Sequence, residues 1–209
     1  DGYDMYSQRY GGEHDFHNIT YSLGGAWQAT PHTALSSNIG VAWRAPQVNE
    51  LYSSGLHHGA GTYNLGEASL SPETGAKWIT SLSYTHPERG IYLTADAYVQ
   101  LIKNYIYDYP TGETRTLFSG VYPIFQYTQA DAFFRGVDLE ARLPLIKWHR
   151  LSDHELSYEL KGSVVFANEM QTKRYFPFIP APRVSQQLKW NVDRNGRLLR
   201  NFTVGIGHT

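Results

Sequence analysis

"IYLTADAYVQL", Ile91 to Leu101, decides how this chain folds. Its odd positions read Ile91, Leu93, Ala95, Ala97, Val99 and Leu101, and its even positions read Tyr92, Thr94, Asp96, Tyr98 and Gln100. A period of two places the first set on one face of an extended strand and the second on the other. A helix would spread both sets around its circumference. Five long stretches on either side carry the same alternation: 19–29, 35–44, 76–85, 133–143 and 184–192. So does 155–166, and Phe202, Val204 and Ile206 begin a further one. These are about eight strands, and many exceed the roughly 5–6 residues usual in soluble sheets.

The charges choose between solvents. Lys77, Asp96, Glu140, Arg142, Glu159, Lys161 and Lys189 share faces with Gly, Ser and Thr, while the opposite faces hold Trp, Tyr, Leu and Val. Lipid demands such a division, because Lys or Arg on a lipid-facing position costs about 2–4 kcal/mol at the bilayer midplane. The connections alternate too. Short ones lie at 30–33, 86–90, 145–153 and 193–197, and long ones at 47–72, about 108–126 and 169–181. Short periplasmic turns and long extracellular loops are the habit of outer-membrane barrels. The expected fold is therefore all-β: an antiparallel transmembrane β-barrel, present in part, with residues 1–209 as a single segment of it. Trp27, Trp43 and Trp78 fall toward strand ends, where an interfacial aromatic belt would place them. The alternative is a soluble β-sandwich binding module, for example for glycans. It requires a second sheet over Leu93, Val137 and Leu188.

Composition narrows function. Lys plus Arg number 18 against 19 Asp plus Glu, a formal net charge of −1, which argues against nucleic acid as a partner. There is no cysteine, so disulfides and thiolate chemistry are excluded. The mean hydropathy of −0.44 is polar, as alternating barrel strands also are. No hydrolase, metalloprotease or phosphate-loop motif occurs, and His154 lies on the opposite parity to Ser157 and Ser163. The chain is not expected to be an enzyme.

Several segments resemble the TonB-dependent outer-membrane receptors. "WRAPQVNELY" (Trp43 to Tyr52) is similar to the family's Phe-Arg-Ala-Pro box, with Trp in place of Phe. "EASLSPE" (Glu67 to Glu73) keeps the Leu-x-Pro-Glu end of a second family segment. "DAYVQLIKNYIY" (Asp96 to Tyr107), "FRGVDLEARL" (Phe134 to Leu143) and "FIPAPRVSQQLKW" (Phe178 to Trp190) resemble later barrel strands in the same order. The resemblance implies a barrel of about twenty-two strands around a plug domain. This chain would supply some eight strands from its C-terminal half, with the plug, the TonB-coupling segment and the last strands outside it. The implied partners are outer-membrane lipid, the rest of the receptor, the TonB energy-transducing complex, a metal-complex cargo and, for some receptors, a surface lipoprotein. No cofactor of its own is implied. The cargo would be an iron siderophore, haem or zinc, taken up across the outer membrane of a Gram-negative cell.

The stretch 47–72 is the expected ligand loop. Arg44, at the end of the strand before it, falls on the inward face by parity, and Glu50, Tyr52, His57, His58 and Tyr63 lie within the loop. Neutral imidazole is the commonest metal ligand, so His57 and His58 are the candidate metal residues. The resemblance supports them, since haem receptors of this kind carry a histidine between the two boxes. Adjacent residues of an extended segment point apart, so one of the two would face a given ligand. Tyr122, Phe125, Tyr127 and Tyr175, with Phe176, would form an aromatic mouth on the other long loops. His14 and His17 are further candidates near the top of the first strand.

Overall fold

A computed structural model describes residues 18–149, 153–193 and 201–208. The elements are β1 (Tyr21–Thr30), β2 (Thr33–Arg44), α1 (Val48–Tyr52), β3 (Ser54–His57), β4 (Thr62–Leu65), β5 (Glu73–His86), β6 (Ile91–Leu117), β7 (Gly120–His149), β8 (Asp153–Glu169), β9 (Arg183–Asp193) and β10 (Asn201–His208). Eight strands form one sheet in the order β1-β2-β5-β6-β7-β8-β9-β10, each antiparallel to its neighbour. The sheet is a wall of a barrel, and β3 and β4 stand off its path.

Register carries the alternation from strand to strand. Leu23, Ile39, Trp78, Val99, Arg135 and Phe166 form one row across six strands, and Leu35, Leu82, Ala95 and Leu139 form another. These are the outward rows. On the other face Arg142 pairs with Glu155 at 2.8 Å, Lys161 with Glu140 at 2.8 Å and Lys189 with Glu159 at 2.6 Å. A charge ladder on one face and hydrocarbon on the other is what a wet lumen and a lipid exterior each select. Leu93, Val137 and Leu188 are 37%, 39% and 42% exposed, so no second sheet covers them and the β-sandwich fails.

Two features depart from the expected plan. The 108–126 stretch is no irregular loop: β6 and β7 run on as a tall hairpin that turns at Phe118 and Ser119. The 47–72 stretch, expected as one long connection, contains α1 and the β3–β4 hairpin. The tall hairpin also changes phase. Ile102 pairs with Ala132 and Tyr105 with Ala130, so Lys103 and Asn104 together oppose Asp131. Asn104 takes φ 57, a left-handed conformation that Asn tolerates at bulges, and its N–H donates to Asp131 Oδ1 at 3.1 Å. Above the bulge, Tyr105 and Tyr107 continue the luminal parity and Ile106 and Asp108 the outward one.

The expected short turns hold among the described residues: β1 and β2 meet across Pro31 and His32, and β5 and β6 across 87–90. His14, His17 and the 194–197 turn lie outside the described residues.

Candidate functional site

The tall hairpin is clamped between two loops, one on each face. On the Ile106 and Asp108 face lies the 47–72 loop. Leu51, Leu70 and Ile106 are buried together, with Tyr52 and Tyr127 packed against them. Gly66 is needed for this close fit, because a Cβ there would meet the Leu51 carbonyl at 2.6 Å. The loop crosses to the far strand, where β4 pairs in parallel with β7, Tyr63 opposite Ile124 and Asn64 opposite Phe125. Gln129 imitates a strand for it: its Nε2 donates to the Ser71 carbonyl at 2.5 Å, and its Oε1 accepts the Ser71 N–H at 2.9 Å.

An ionic node roots the loop. Arg44 Nη1 donates to Glu50 Oε2 at 2.7 Å and Arg44 Nε to Glu73 Oε2 at 2.9 Å. Glu50 closes a capping box at the start of α1, accepting the Gln47 N–H at 2.6 Å. Glu73 Oε1 accepts the Ile106 N–H at 2.6 Å, which lies beyond the last residue of β6 paired to β5. The inward parity expected of Arg44 holds, since it opposes Glu73 in the row order that places Lys77 opposite Gly40. Arg44 and Glu50 nevertheless serve each other. Arg44 and Glu73 also bound a concave niche on the luminal face, with Gly40, Gly75, Lys77 and Gln100 along it.

The opposite face holds the 170–182 loop. Phe176 is buried with Ala132 and Ala167 on the luminal face, against Tyr105, Tyr107 and Phe134. The ring of Phe176 stands edge-on to Tyr105 at 5.0 Å and to Tyr107 at 4.8 Å, and is stacked on Phe134 at 6.2 Å. Tyr107 in turn meets Tyr109 edge-on at 6.3 Å. This aromatic ledge faces the lumen near the mouth. Of its members only Phe176 was a sequence candidate. The signal for the others was the alternation Tyr105-Ile106-Tyr107-Asp108-Tyr109, whose phase becomes readable once the bulge is known.

The remaining candidates are scattered. His57 ends β3 and His58 follows it; both are exposed, and His57 Nδ1 accepts the Ala60 N–H at 3.1 Å. Among the described residues no three His, Asp or Glu side chains converge as a metal cluster. Tyr63 is buried beneath the Arg115 guanidinium, 4.4 Å from its ring centre. Phe125 meets Phe178 at 5.9 Å, and Tyr127 accepts from Asn49 Nδ2 at 3.4 Å. Tyr122 is turned back onto Ser119, and Tyr175 is exposed. Asp108, in the hairpin above the wall, accepts from Asn64 Nδ2 at 2.7 Å through one carboxylate oxygen, while the other is buried without a partner. Burial pushes its carboxyl above the usual range, against the opposing pull of Asn64 and of His57.

The family described as TonB dependent receptor-like, beta-barrel, matches residues 1–206. Among curated proteins no sequence match is found. Of solved structures, the copper transporter OprC is similar at 16% identity with a TM-score of 0.57, over 89% of this chain and 30% of that one. The siderophore receptor PirA from Pseudomonas aeruginosa is 16% identical, with a TM-score of 0.47, over 91% of this chain and 32% of that one. The ferric enterobactin receptor PfeA from the same organism is also 16% identical, with a TM-score of 0.43, over 91% and 34%. The chain thus spans about a third of the length of the solved barrels it matches.

Proposed function

This chain belongs to the TonB-dependent receptor β-barrel family, and we propose that it forms the wall and part of the ligand mouth of a receptor that imports a scarce metal complex. The single observation that carries the cargo reading is the luminal aromatic ledge built by Tyr105, Tyr107, Phe134 and Phe176. A planar or catechol-like metal complex is held by such rings, with a few polar groups to orient it. That fits an iron siderophore or haem better than a bare ion. Copper, named as the cargo of OprC, is likewise a scarce metal. His57 and His58, exposed beside the mouth, are the metal-contacting residues of this reading, with zinc as the cargo they would take alone. Arg44 and Glu50 then contribute by fixing the loop that carries the histidines.

In this reading β1 and β10 pair with further strands of the receptor, because a spanning sheet has to close. A plug fills the lumen, the TonB complex supplies energy, a surface lipoprotein delivers cargo where one is used, and the long loops face outward from the outer membrane. The protein binds and moves its cargo without chemical change.

The test is uptake by cells carrying the complete receptor, offered ferric siderophore, haem, zinc and copper in turn. Receptor-dependent accumulation of one metal complex is expected. Changing His57 and His58 together to Ala is expected to weaken binding of that cargo about tenfold or more. Equal accumulation of all four with and without the receptor would reject metal import. Partition of the receptor into buffer without detergent would reject the membrane reading itself.

A further inference from the structure

Arg135 is out of place. It stands in the outward row Trp78, Val99, Arg135, Phe166, among positions that otherwise face hydrocarbon. Among the described residues, from that row down to the short turns, it is the one Asp, Glu, Lys or Arg on the outward parity of β1, β2 and β5 to β9. Its guanidinium is not left to wander. Nη1 donates to Asn168 Oδ1 at 3.2 Å, and Asn168 is itself only 9% exposed. Phe133 and Phe166 lie on either side, with the guanidinium carbon 5.6 Å and 5.5 Å from their ring centres. No carboxylate among the described residues pairs with it.

The level of the row is set by its aromatics. Trp78, Phe133 and Phe166 mark an interfacial girdle, and the row lies at the loop end of the spanning strands. That is where lipid headgroups begin. Below Arg135 runs a shallow apolar groove along Trp78, Val99, Val137, Val164 and Phe166, floored by the small side chain of Ala97.

From these residues we infer that Arg135 and its groove bind one phosphate-bearing membrane lipid of the loop-side leaflet. The inference rests on the strands spanning a membrane. Arg135 has unused N–H donors in the planar fork that matches a phosphate bidentately, and Asn168 orients that fork. The groove takes an acyl chain beneath the headgroup. A cation that merely reached for water would need neither the buried Asn168 nor the flanking rings. The ligand chemistry is an anionic phosphate with hydrocarbon attached, since a free phosphate gains nothing from the groove.

The test uses the complete receptor, purified in mild detergent and titrated by native mass spectrometry. The probes are dioleoylphosphatidylglycerol and the phosphate-free monogalactosyldiacylglycerol. Wild type is expected to retain one phosphatidylglycerol in preference to the galactolipid. Arg135→Gln is expected to bind it about tenfold more weakly. Arg142→Gln, which removes a luminal cation, is expected to bind as wild type. Quenching of Trp78 by a dibrominated acyl chain locates the lipid in the groove, and loss of that quenching in the Trp78→Phe variant assigns it. If Arg135→Gln does not insert, Arg135→Lys keeps the charge without the fork, and weaker retention by it is the expected result. Equal retention by wild type and the inserted Arg135 variant, or no preference between the two lipids, overturns the inference. Neither outcome touches the metal-import reading, which is read from uptake.

Discussion

Replacing Glu73 by Ala should release the 47–72 loop from the tall hairpin while leaving the wall intact. Glu73 is buried, and each of its oxygens is used: one accepts the Ile106 N–H at 2.6 Å, the other the Arg44 Nε–H at 2.9 Å. A hydrogen bond to a charged group contributes about 1.5–3 kcal/mol. The bond to Ile106, a residue only 5% exposed, belongs in the middle of that range, about 2 kcal/mol. The Arg44 contact belongs lower, near about 1 kcal/mol, because the Arg44 side chain is 37% exposed and keeps Glu50 as a partner. Together they give about 3 kcal/mol for local opening, a fall in amide protection of about a hundredfold. Glu73→Gln keeps a neutral acceptor for Ile106 and should lose only about tenfold. Hydrogen–deuterium exchange on the intact receptor reads this directly, in peptides spanning 47–72 and 104–110, with peptides of β8 and β9 as unchanged controls. Wild-type protection around Ile106 in Glu73→Ala refutes the anchoring role. So does equal damage from Gln and Ala, which would mean that shape and not hydrogen bonding holds the loop.

Two further outcomes follow from the mouth. Phe176→Ala removes the one loop side chain buried in the aromatic ledge, and such truncations cost about 3–5 kcal/mol. The freed 170–182 loop should be cut faster by trypsin at the exposed Lys173 and Arg174, with the rest of the barrel resistant. Asp108 makes docking of the 47–72 loop depend on pH. Its folded carboxyl is raised chiefly by burial, so the docked state binds a proton more readily than the open state. Docking is therefore strongest below the ordinary carboxylate range and weakens as pH rises through the raised value. Asp108→Asn should hold the loop equally well across that window, as followed by the Asn64 side-chain amide resonance; an unchanged pH response in the variant would assign the effect to another group.

The wall was legible because its code is local. At every strand one solvent is hydrocarbon and the other is a polar lumen, so each residue pair declares its face without reference to the rest of the chain. The charges of Lys77, Glu140, Lys161 and Lys189 were assigned inward from parity alone; Lys161 pairs with Glu140 and Lys189 with Glu159, and Lys77 lies over the Tyr98 ring, as parity requires. The loops were less legible. The helix Val48–Tyr52 is too short to show a period, and its capping box uses Gln47, outside the usual Ser, Thr, Asp and Asn set. The 108–126 stretch hides its strand character because Pro110, Gly112 and Pro123 read as loop residues and the register shift between Pro110 and Thr114 breaks the alternation.

The candidate site shows the same limit. Arg44 and Glu50 are near neighbours along the chain, but only the return of β5 beside β2 brings Glu73 into their node. Phe176 reaches Tyr105 and Tyr107 because the bulge at Lys103 and Asn104 shifts the hairpin by one residue and turns its tyrosines to the lumen. A single extra residue inverts which side chains face which way, and no periodicity within one strand reveals it. Alternation, charge placement and turn spacing were enough, by themselves, to specify a lipid-facing sheet and its two surfaces, since each strand meets the same pair of solvents. Which loop side chains meet over the lumen, and where Arg135 finds its buried partner, depends on contacts between segments distant in sequence, and those exist only once the strands have been placed side by side.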